Sequence, residues 1–410
     1  MRMIFLRLVL AAAFSVGLRA GAQGYLTLHE KAIVVDTHND ILSEVVSKGW
    51  DIGTDLKGKT MSDLARFKKG GVDVQVFSIF CNDGFGVGSA FRQANREIDS
   101  LYAIAARNPD KMEMVTTVAG IMTAVKHHKL AAMMGVEGGH MIEDNLDYLD
   151  SFYRRGVRYM TLTWNNSTGW ATSAFEESTH AFTVTPYGLT ERGKVIVRRM
   201  NELGMLVDLS HVGEKTFWDV IHTVNKPVIC SHSSVYALSP VYRNLKDDQI
   251  KAIGANGGVI QVNFYSRFLD STYGPKLDRF LERHKVELDS MNAVKAPQYA
   301  IDAYMSKKYP AEADSLRAPL SMLFDHIDYI VRLIGVDHVG LGSDFDGIES
   351  SPRELDDVAT YPIITRELLK RGYKPADVEK ILGGNFIRVL KANEVGTGAA
   401  AATRVAAAGK

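Results

Sequence analysis

The sequence predicts a (β/α)8 TIM barrel, and three observations support this α/β fold class. Eight short runs of apolar and β-branched residues alternate with stretches whose apolar residues recur at helical spacing. The runs are almost continuously apolar, which is typical of parallel strands that are buried on both faces. Strand–helix alternation implies right-handed crossovers, and eight such units indicate a closed barrel rather than an open sheet.

The elements follow in order along the chain. The predicted strands span residues 32–37, 72–80, 131–136, 158–163, 205–210, 227–231, 258–264 and 339–343. Helical patterns occupy residues 90–107, 145–155, 189–203, 214–224, 246–255 and 320–333, and closing helices are predicted over 361–371 and 375–390. Residues 266–319 form a long insertion after the seventh predicted strand, where a barrel carries its catalytic face. Three interpretations of this insertion are left open: a lid over the site, a contact in an oligomer, or a solvated surface element without a function.

Composition excludes several classes of protein. The chain has 410 residues, of which 46% are hydrophobic, and 48 basic residues balance 48 acidic ones. A zero formal charge provides no basic excess for binding nucleic acid or an anionic membrane. The apolar fraction is too high for a disordered chain, and two cysteines cannot form a disulfide scaffold or a four-cysteine zinc site.

Both ends of the chain differ from the predicted barrel domain, which spans residues 23–393. Residues 1–22 have the pattern of a signal peptide, with Arg2 and Arg7 before an apolar stretch and small residues at 20–22. The stretch is too short to span a bilayer, so we expect an exported protein, periplasmic or secreted, with no membrane span in the mature chain. A buried N-terminal helix is the alternative. Residues 394–410 are rich in alanine and are predicted to be a disordered tail.

Six candidate metal ligands follow five of the predicted strands. Because the carboxyl ends of parallel strands meet at one mouth of a barrel, we expect these side chains to converge. A single buried histidine is more often structural than functional. The interpretation therefore depends on all six residues following strands of one predicted barrel. The six candidates are His38, Asp40, Glu137, His211, His232 and Asp344.

The ligand types indicate two metal ions. His38 and Asp40 are two positions apart, so they point to the same side of a strand and can hold one ion together. Three carboxylates and three imidazoles exceed what one tetrahedral zinc needs, but they suit two ions that share a carboxylate. Glu137, at the end of a central strand, is the natural bridge. Imidazole with carboxylate favours zinc, with manganese and iron left open.

At these residues the sequence resembles the membrane dipeptidase (renal dipeptidase) family of zinc peptidases, which have amidohydrolase-like barrels. The resemblance runs from about residue 30 to 390. The matching stretches are Val35-Asp-Thr-His-Asn-Asp40, Gly135-Val-Glu-Gly-Gly139, Asp208-Leu-Ser-His-Val212, Ser231-His-Ser-Ser234, Arg243-Asn244, Val262-Asn-Phe-Tyr265, Gly342-Ser-Asp-Phe-Asp-Gly347 and Gly383-Gly-Asn-Phe-Ile-Arg-Val-Leu390.

The resemblance implies a role for each matching residue. One zinc ion would be held by His38, Asp40 and Glu137, and the second by Glu137, His211 and His232. Asp344 would lie beside the first zinc and transfer protons, so that Asp344 and Glu137 form the catalytic pair.

Substrate contacts are also implied by the resemblance. Arg243 would bind the terminal carboxylate of the substrate, with a surface salt bridge as the alternative. Tyr265 is a further candidate for substrate contact. Trp164 stands where the family often has a histidine that contacts substrate, which is a departure from the pattern.

The expected activity is zinc-dependent hydrolysis of dipeptides, with two zinc ions per chain. Two ions about 3.5–4 Å apart bind one water and lower its pKa from 15.7 to roughly 7, which gives a bridging hydroxide at neutral pH. Dipeptides with a C-terminal D-residue are included by resemblance, and a homodimer is expected by analogy. One alternative is another metal-dependent hydrolase, acting on lactones, phosphotriesters or N-acyl amino acids. A non-catalytic binding protein with a relic metal site is the other.

Overall fold

A computed structural model of the protein describes residues 24–180, 187–296 and 298–395. Its sheet runs in the order β1-β2-β4-β5-β6-β7-β8-β9, and every neighbouring pair is parallel. A parallel bridge between Asn39 and Phe345 joins the first strand to the segment after the last. The predicted TIM barrel is therefore confirmed. The predicted signal peptide lies outside the described residues, as does the tail from residue 396 onward.

The strands are short, and all of them except β3 overlap a predicted run. They are β1 (Val35–Asn39), β2 (Val74–Phe80), β3 (Met112–Met114), β4 (Leu130–Glu137), β5 (Val157–Thr161), β6 (Leu206–Asp208), β7 (Ile229–Cys230), β8 (Val259–Val262) and β9 (Val339–Leu341). β3 was not predicted. It pairs only with β4, off the barrel path, and its three residues are too few to show an alternating pattern.

Helices surround the barrel, and the six predicted between strands are confirmed. Up to β8 they are α1 (24–31), α2 (Ile41–Lys48), α3 (Leu64–Lys69), α4 (Ala90–Arg107), α5 (Val118–Lys126), α6 (Leu146–Arg154), α7 (Ala174–Thr179), α8 (Glu191–Leu203), α9 (Glu214–Ile221) and α10 (Asp247–Asn256). After β8 they are α11 (Ser266–Leu269), α12 (Tyr273–Arg283), α13 (Lys285–Ala293), α14 (Gln298–Lys308), α15 (Pro310–Leu316), α16 (Leu320–Ile334), α17 (Pro362–Lys370), α18 (Pro375–Glu379) and α19 (Asn385–Asn393).

The barrel interior is filled at one end and open at the other. Inward-facing strand residues such as Val74, Met133 and Tyr159 pack with Phe386 and Leu390 of α19 in one buried cluster. Alternate residues of the same strands pack outward against the helices in a second, larger cluster. α19 therefore contributes to the floor of the barrel, and the strand ends at the opposite mouth are free to carry the site.

The insertion between β8 and β9 is helical and has a small core of its own. Phe280, Ile301 and Met305 are buried in a cluster that is separate from the barrel cores. α13 has no buried residue, and Val286 and Val294 are 82% and 74% exposed. No helix in the described part of the chain is long and apolar enough to cross a membrane.

Candidate metal centre

The strand ends bring the six predicted ligands into one cluster. Nε2 of His38 lies 3.1 Å from Oε2 of Glu137, 3.4 Å from Oδ2 of Asp40 and 3.9 Å from Oδ1 of Asp344. On the other side, Oε1 of Glu137 lies 2.9 Å from Nε2 of His211. The same Oε1 lies 3.6 Å from Nε2 of His232. The two oxygens of Glu137 thus face two separate sets of candidate ligands.

The donor set fits metal ions. Nε2 of His211 and Nε2 of His232 lie 3.0 Å apart, a distance at which two lone pairs repel unless a proton or a cation lies between them. Oδ1 of Asp40 is buried and has no hydrogen-bond partner among the described residues. Imidazoles and carboxylates that converge in this way are ligands for divalent transition metals.

The pKa values of these groups favour ligand-competent forms at several positions. Burial raises the pKa of Glu137, but His38 and His211 outweigh it and hold the pKa well below its ordinary value. Burial and the Arg243 charge lower the pKa of His211 to about 4. Burial and the charge of His38 likewise hold the pKa of His232 well below its usual range. Glu137 is therefore ionised and these two imidazoles are neutral at neutral pH.

On the other side of the cluster, the pKa values of His38 and Asp344 are raised. Burial alone lowers the pKa of His38, but Tyr159 and Glu137 raise it well above its ordinary value. Burial raises the pKa of Asp344 well above its ordinary value, and the nearby Asp40 carboxylate adds to the effect. A cation that binds at His38 therefore displaces a proton from Nε2.

Two of the candidate ligands occupy strained backbone. His211 has φ 65° and Asp344 has φ 63°, in the left-handed region that non-glycine residues seldom adopt. Asp346 shares this conformation, with φ 67°. The next residue is Gly347, and a Cβ at this position would lie 2.2 Å from Oδ2 of Asp40, so the position favours glycine. Such strain, of order 1–3 kcal/mol per residue, is concentrated at functional sites.

Two buried aspartates support the cluster from behind, and sequence reasoning missed their part in the site. Asp36 accepts hydrogen bonds from N and Oγ of Ser343, at 2.9 and 2.6 Å. Asp208 accepts in the same way from N and Oγ of Ser231, at 2.8 and 2.5 Å. Each serine directly precedes a candidate ligand, Asp344 or His232. The signal was present in the sequence, since both aspartates belong to the motifs quoted above, but only the structure shows which serine each one contacts.

A cavity of about 1470 Å³ opens above the cluster and contains the predicted substrate residues. Arg243, Trp164 and Tyr265 all line it, together with Gln298, Asp302 and Lys307 of insertion helix α14. Barrel and insertion therefore both form its wall.

Arg243 is 5% exposed, and its Nε has no hydrogen-bond partner within the described residues. In the described part of the chain, Arg243 donates one long hydrogen bond, 3.4 Å from Nη2 to the carbonyl oxygen of His232. The ring of Phe268 lies 5.4 Å from the guanidinium carbon. Burial lowers the pKa of Arg243, but an arginine stays charged at any physiological pH. A buried cation without a full set of partners is suited to an anionic ligand.

Trp164 and Tyr265 form aromatic parts of the wall. The Trp164 ring packs edge-on against Phe80 at 5.0 Å, and Tyr265 packs against Phe268 at the same distance. Within the described ranges, neither side chain forms a hydrogen bond with any of the six candidate ligands. Their position makes them candidates for contact with the non-reacting parts of a substrate.

This fold and site together define a metal-dependent hydrolase. A family model described as "Membrane dipeptidase (Peptidase family M19)" matches residues 23–403. The chain belongs to this family, as the sequence motifs predicted, and it is an enzyme of the metallo-dipeptidase class.

Relatives and solved structures agree with the assignment. An uncharacterized dipeptidase of Schizosaccharomyces pombe is 31% identical over 392 residues, which cover 91% of this chain and 83% of the relative. Dipeptidase 3 of Rattus norvegicus is 31% identical over 87% of this chain, which spans only 64% of that relative. The probable dipeptidase PvdM from Pseudomonas aeruginosa has a TM-score of 0.74 at 25% identity, over 92% of this chain and 98% of its own.

A more distant structure shares the fold. A metallopeptidase from Rhodobacter sphaeroides, liganded with a phosphinate mimic of the dipeptide L-Ala-D-Ala, has a TM-score of 0.70 at 23% identity. The match covers 88% of this chain and 100% of that structure.

Proposed function

We propose that the protein is a zinc-dependent dipeptidase that holds two zinc ions and hydrolyses the peptide bond of dipeptides, including those with a C-terminal D-residue. The observation that carries the proposal is the position of Glu137. Its Oε2 faces His38, and its Oε1 faces His211 and His232, as a bridging carboxylate requires. One ion would be held by His38, Asp40 and Glu137, with Asp344 beside it, and the other by Glu137, His211 and His232.

Bound metal ions supply two kinds of chemistry, polarisation of the substrate carbonyl and a water acidified to a pKa of roughly 7. The protein's own groups prepare for both. Glu137 places one negative charge between the two ligand sets, and neutral imidazoles leave lone pairs for cations. Zinc is favoured over harder cations because three of the six ligands are imidazoles.

Asp344 is the proposed proton-transfer group. Its Oδ2 accepts a 2.8 Å hydrogen bond from Nδ2 of Asn263, which fixes the orientation of the carboxyl group. Burial raises the pKa of Asp344, which favours its protonated form. As a general acid–base group it would take a proton from the attacking water and deliver it to the leaving amine.

Arg243 is the proposed clamp for the free carboxylate of the substrate. Its buried guanidinium has an unpartnered Nε, and a carboxylate pairs with guanidinium through two parallel hydrogen bonds. Such a clamp restricts activity to short substrates, because a longer peptide has no carboxylate at the required distance from its scissile bond. Tyr265 and Trp164 would contact the substrate at the cavity wall. Trp164 supplies an apolar ring where the family often has an imidazole.

The test is hydrolysis of L-L and L-D dipeptides, one tripeptide and one dipeptide amide by zinc-loaded protein, with a chelator control. We expect chelator-sensitive cleavage of the dipeptides only. Activity against lactones or N-acyl amino acids without dipeptide cleavage would replace the proposal with the wider hydrolase alternative. Bound zinc with no turnover of any substrate would support the relic binding protein.

Arg243→Ala gives the matched test of the clamp. We expect KM for dipeptides to rise about 10- to 150-fold, since a hydrogen bond to a charged group contributes about 1.5–3 kcal/mol. Arg267→Ala is the control variant. Arg267 lines the same cavity, but within the described residues its side chain forms no hydrogen bond or ion pair with the six candidate ligands. An equal rise in KM for both variants would show general electrostatic attraction rather than a clamp.

Two further expectations belong to this proposal. The protein would be exported through residues 1–22 and act in the periplasm or outside the cell, which the N-terminal residue of protein recovered from the producing cells checks. A homodimer is expected from the family resemblance, and the mass of the protein in solution checks it.

A further inference from the structure

Two of the proposed imidazole ligands have a hydroxyl group behind them. Nδ1 of His38 lies 2.8 Å from the hydroxyl of Tyr159, and Nδ1 of His232 lies 2.8 Å from Oγ of Ser231. Their opposite nitrogens, Nε2, face Glu137. The direction of each hydroxyl hydrogen bond therefore decides which nitrogen of the ring carries a proton and which offers a lone pair.

The proton of Ser231 is directed away from His232. Oγ of Ser231 lies 2.5 Å from Oδ2 of Asp208, and this carboxyl oxygen accepts the hydrogen bond. Thr161 donates to the same oxygen at 2.5 Å, and two backbone N–H groups donate to Oδ1. Since a serine hydroxyl has one proton, Ser231 gives it to Asp208 and can only accept from His232. His232 must then donate from Nδ1–H.

The proton of Tyr159 is directed away from His38 in the same manner. The hydroxyl lies 3.1 Å from the carbonyl oxygen of Thr37, which can only accept. If Tyr159 donated to His38 instead, two oxygens would face each other without a proton between them. The ring is held in place because Gly135 leaves room for it, since a Cβ at Gly135 would lie 2.0 Å from a ring carbon. His38 must therefore donate from Nδ1–H to Tyr159.

We propose that Tyr159 and Ser231 are positioning residues that keep the proton of His38 and of His232 on Nδ1, so that Nε2 of each ring is the metal-binding atom. This inference rests on the proposed metal-ligand role of the two histidines. His211 provides an internal contrast, because its Nδ1 is buried without a hydrogen-bond partner within the described residues. Each proposed ion site then has one imidazole whose tautomer is fixed by a hydroxyl group, His38 by Tyr159 and His232 by Ser231. The orientation of His211 depends instead on its backbone.

The experiment measures zinc affinity by competition with a chromogenic chelator, using the full chain and the variants Tyr159→Phe and Ser231→Ala. Each substitution removes only a hydroxyl group. We expect about 10- to 100-fold weaker binding at one of the two ions, as is typical when the outer partner of a metal-binding histidine is lost. Ser231→Thr keeps a hydroxyl and should restore the affinity.

Matched controls separate positioning from general loss of stability. Tyr373→Phe removes a hydroxyl that donates to Asp328 at 2.7 Å, and Ser239→Ala removes a buried hydroxyl that donates to the carbonyl of Arg267. Both should leave zinc affinity within twofold of the unmodified protein, while their metal-free melting temperatures change as much as those of the test variants.

A spectroscopic measurement reports the tautomers directly. In zinc-loaded protein labelled with ¹⁵N-histidine, we expect Nδ1–H signals from His38 and from His232. The His38 signal should be lost or shifted in Tyr159→Phe, and the His232 signal in Ser231→Ala. Unchanged zinc affinity and unchanged Nδ1–H signals in both test variants would overturn the positioning role. Failure of the unmodified protein to bind zinc would instead overturn the proposed function on which it rests.

Discussion

The barrel mouth and the insertion both line the same cavity, but they are built differently. At the barrel mouth, the ligand side chains are attached to strand ends or the segments directly after them and are backed by the buried carboxylates of Asp36 and Asp208. The insertion has a separate small core around Phe280 and contributes wall residues of the cavity from α11 and α14, such as Phe268 and Asp302. We infer that the sheet sets the positions of the candidate ligands, whereas the shape of the cavity also depends on an insertion that can vary without moving them.

The largest expected effect tests whether the catalytic groups lie in the barrel and not in the insertion. Asp344→Asn should lower kcat about 10²- to 10⁴-fold, the usual contribution of a general acid–base group, while zinc content is retained. Asp302→Asn is the matched change in the insertion, since Asp302 is a buried carboxylate on the same cavity. We expect kcat of Asp302→Asn to stay within about threefold of the unmodified enzyme. Steady-state kinetics with metal analysis checks both variants, and equal losses of kcat would remove the distinction.

A second change tests whether the insertion core is independent. Phe280→Ala should destabilise the insertion by about 3–5 kcal/mol, because it removes a fully buried ring from a small cluster. Hydrogen exchange should accelerate in residues 270–318 with little change in the barrel strands, and zinc should remain bound. Phe152→Ala, in the main barrel core, should instead accelerate exchange throughout the barrel. If Phe280→Ala lost zinc as fast as the whole protein unfolds, the insertion core would not be independent of the barrel.

The pH dependence of stability should differ in sign between the two regions. Glu97, on α4 behind Phe80, is 1% exposed, and burial raises its pKa to about 8. The folded state therefore binds this proton more tightly than the unfolded state, and the free energy of unfolding falls as pH rises from about 4 to 8. Glu97→Gln should be more stable than the unmodified protein by about 4 kcal/mol at pH 8, with no gain below pH 4, because one pKa unit corresponds to about 1.4 kcal/mol. Thermal or urea unfolding at the two pH values checks this.

Glu287, in the insertion, supplies the opposite case. Hydrogen bonds from Lys308 and Tyr309 lower the pKa of Glu287 to about 2. Its contribution to stability is therefore present above pH 4.5 and is lost as pH falls toward 2. Glu287→Gln should reduce stability slightly at pH 7, and the difference should shrink in acid. A gain in stability at pH 7 would contradict the assignment of these contacts.

Sequence reasoning predicted the barrel mouth better than the insertion for a physical reason. Residues such as His38 and Glu137 follow buried strands, and parallel strands place their carboxyl ends together whatever the intervening loops do. The packing of α12 to α15 depends on contacts between short helices, and neither their order in space nor the separate core could be read from periodicity. β3 escaped detection because three residues show no pattern. The roles of Asp208 and Ser231 required distances between neighbouring strands.

The most direct test of the central claim is a zinc titration of chelator-treated protein in which bound zinc and dipeptide hydrolysis are measured in the same samples. We expect both quantities to reach their maxima at two equivalents per chain, because Glu137 faces two separate ligand sets. Full activity at one equivalent, with no further tight binding, would contradict the two-ion site that the strand ends are proposed to build.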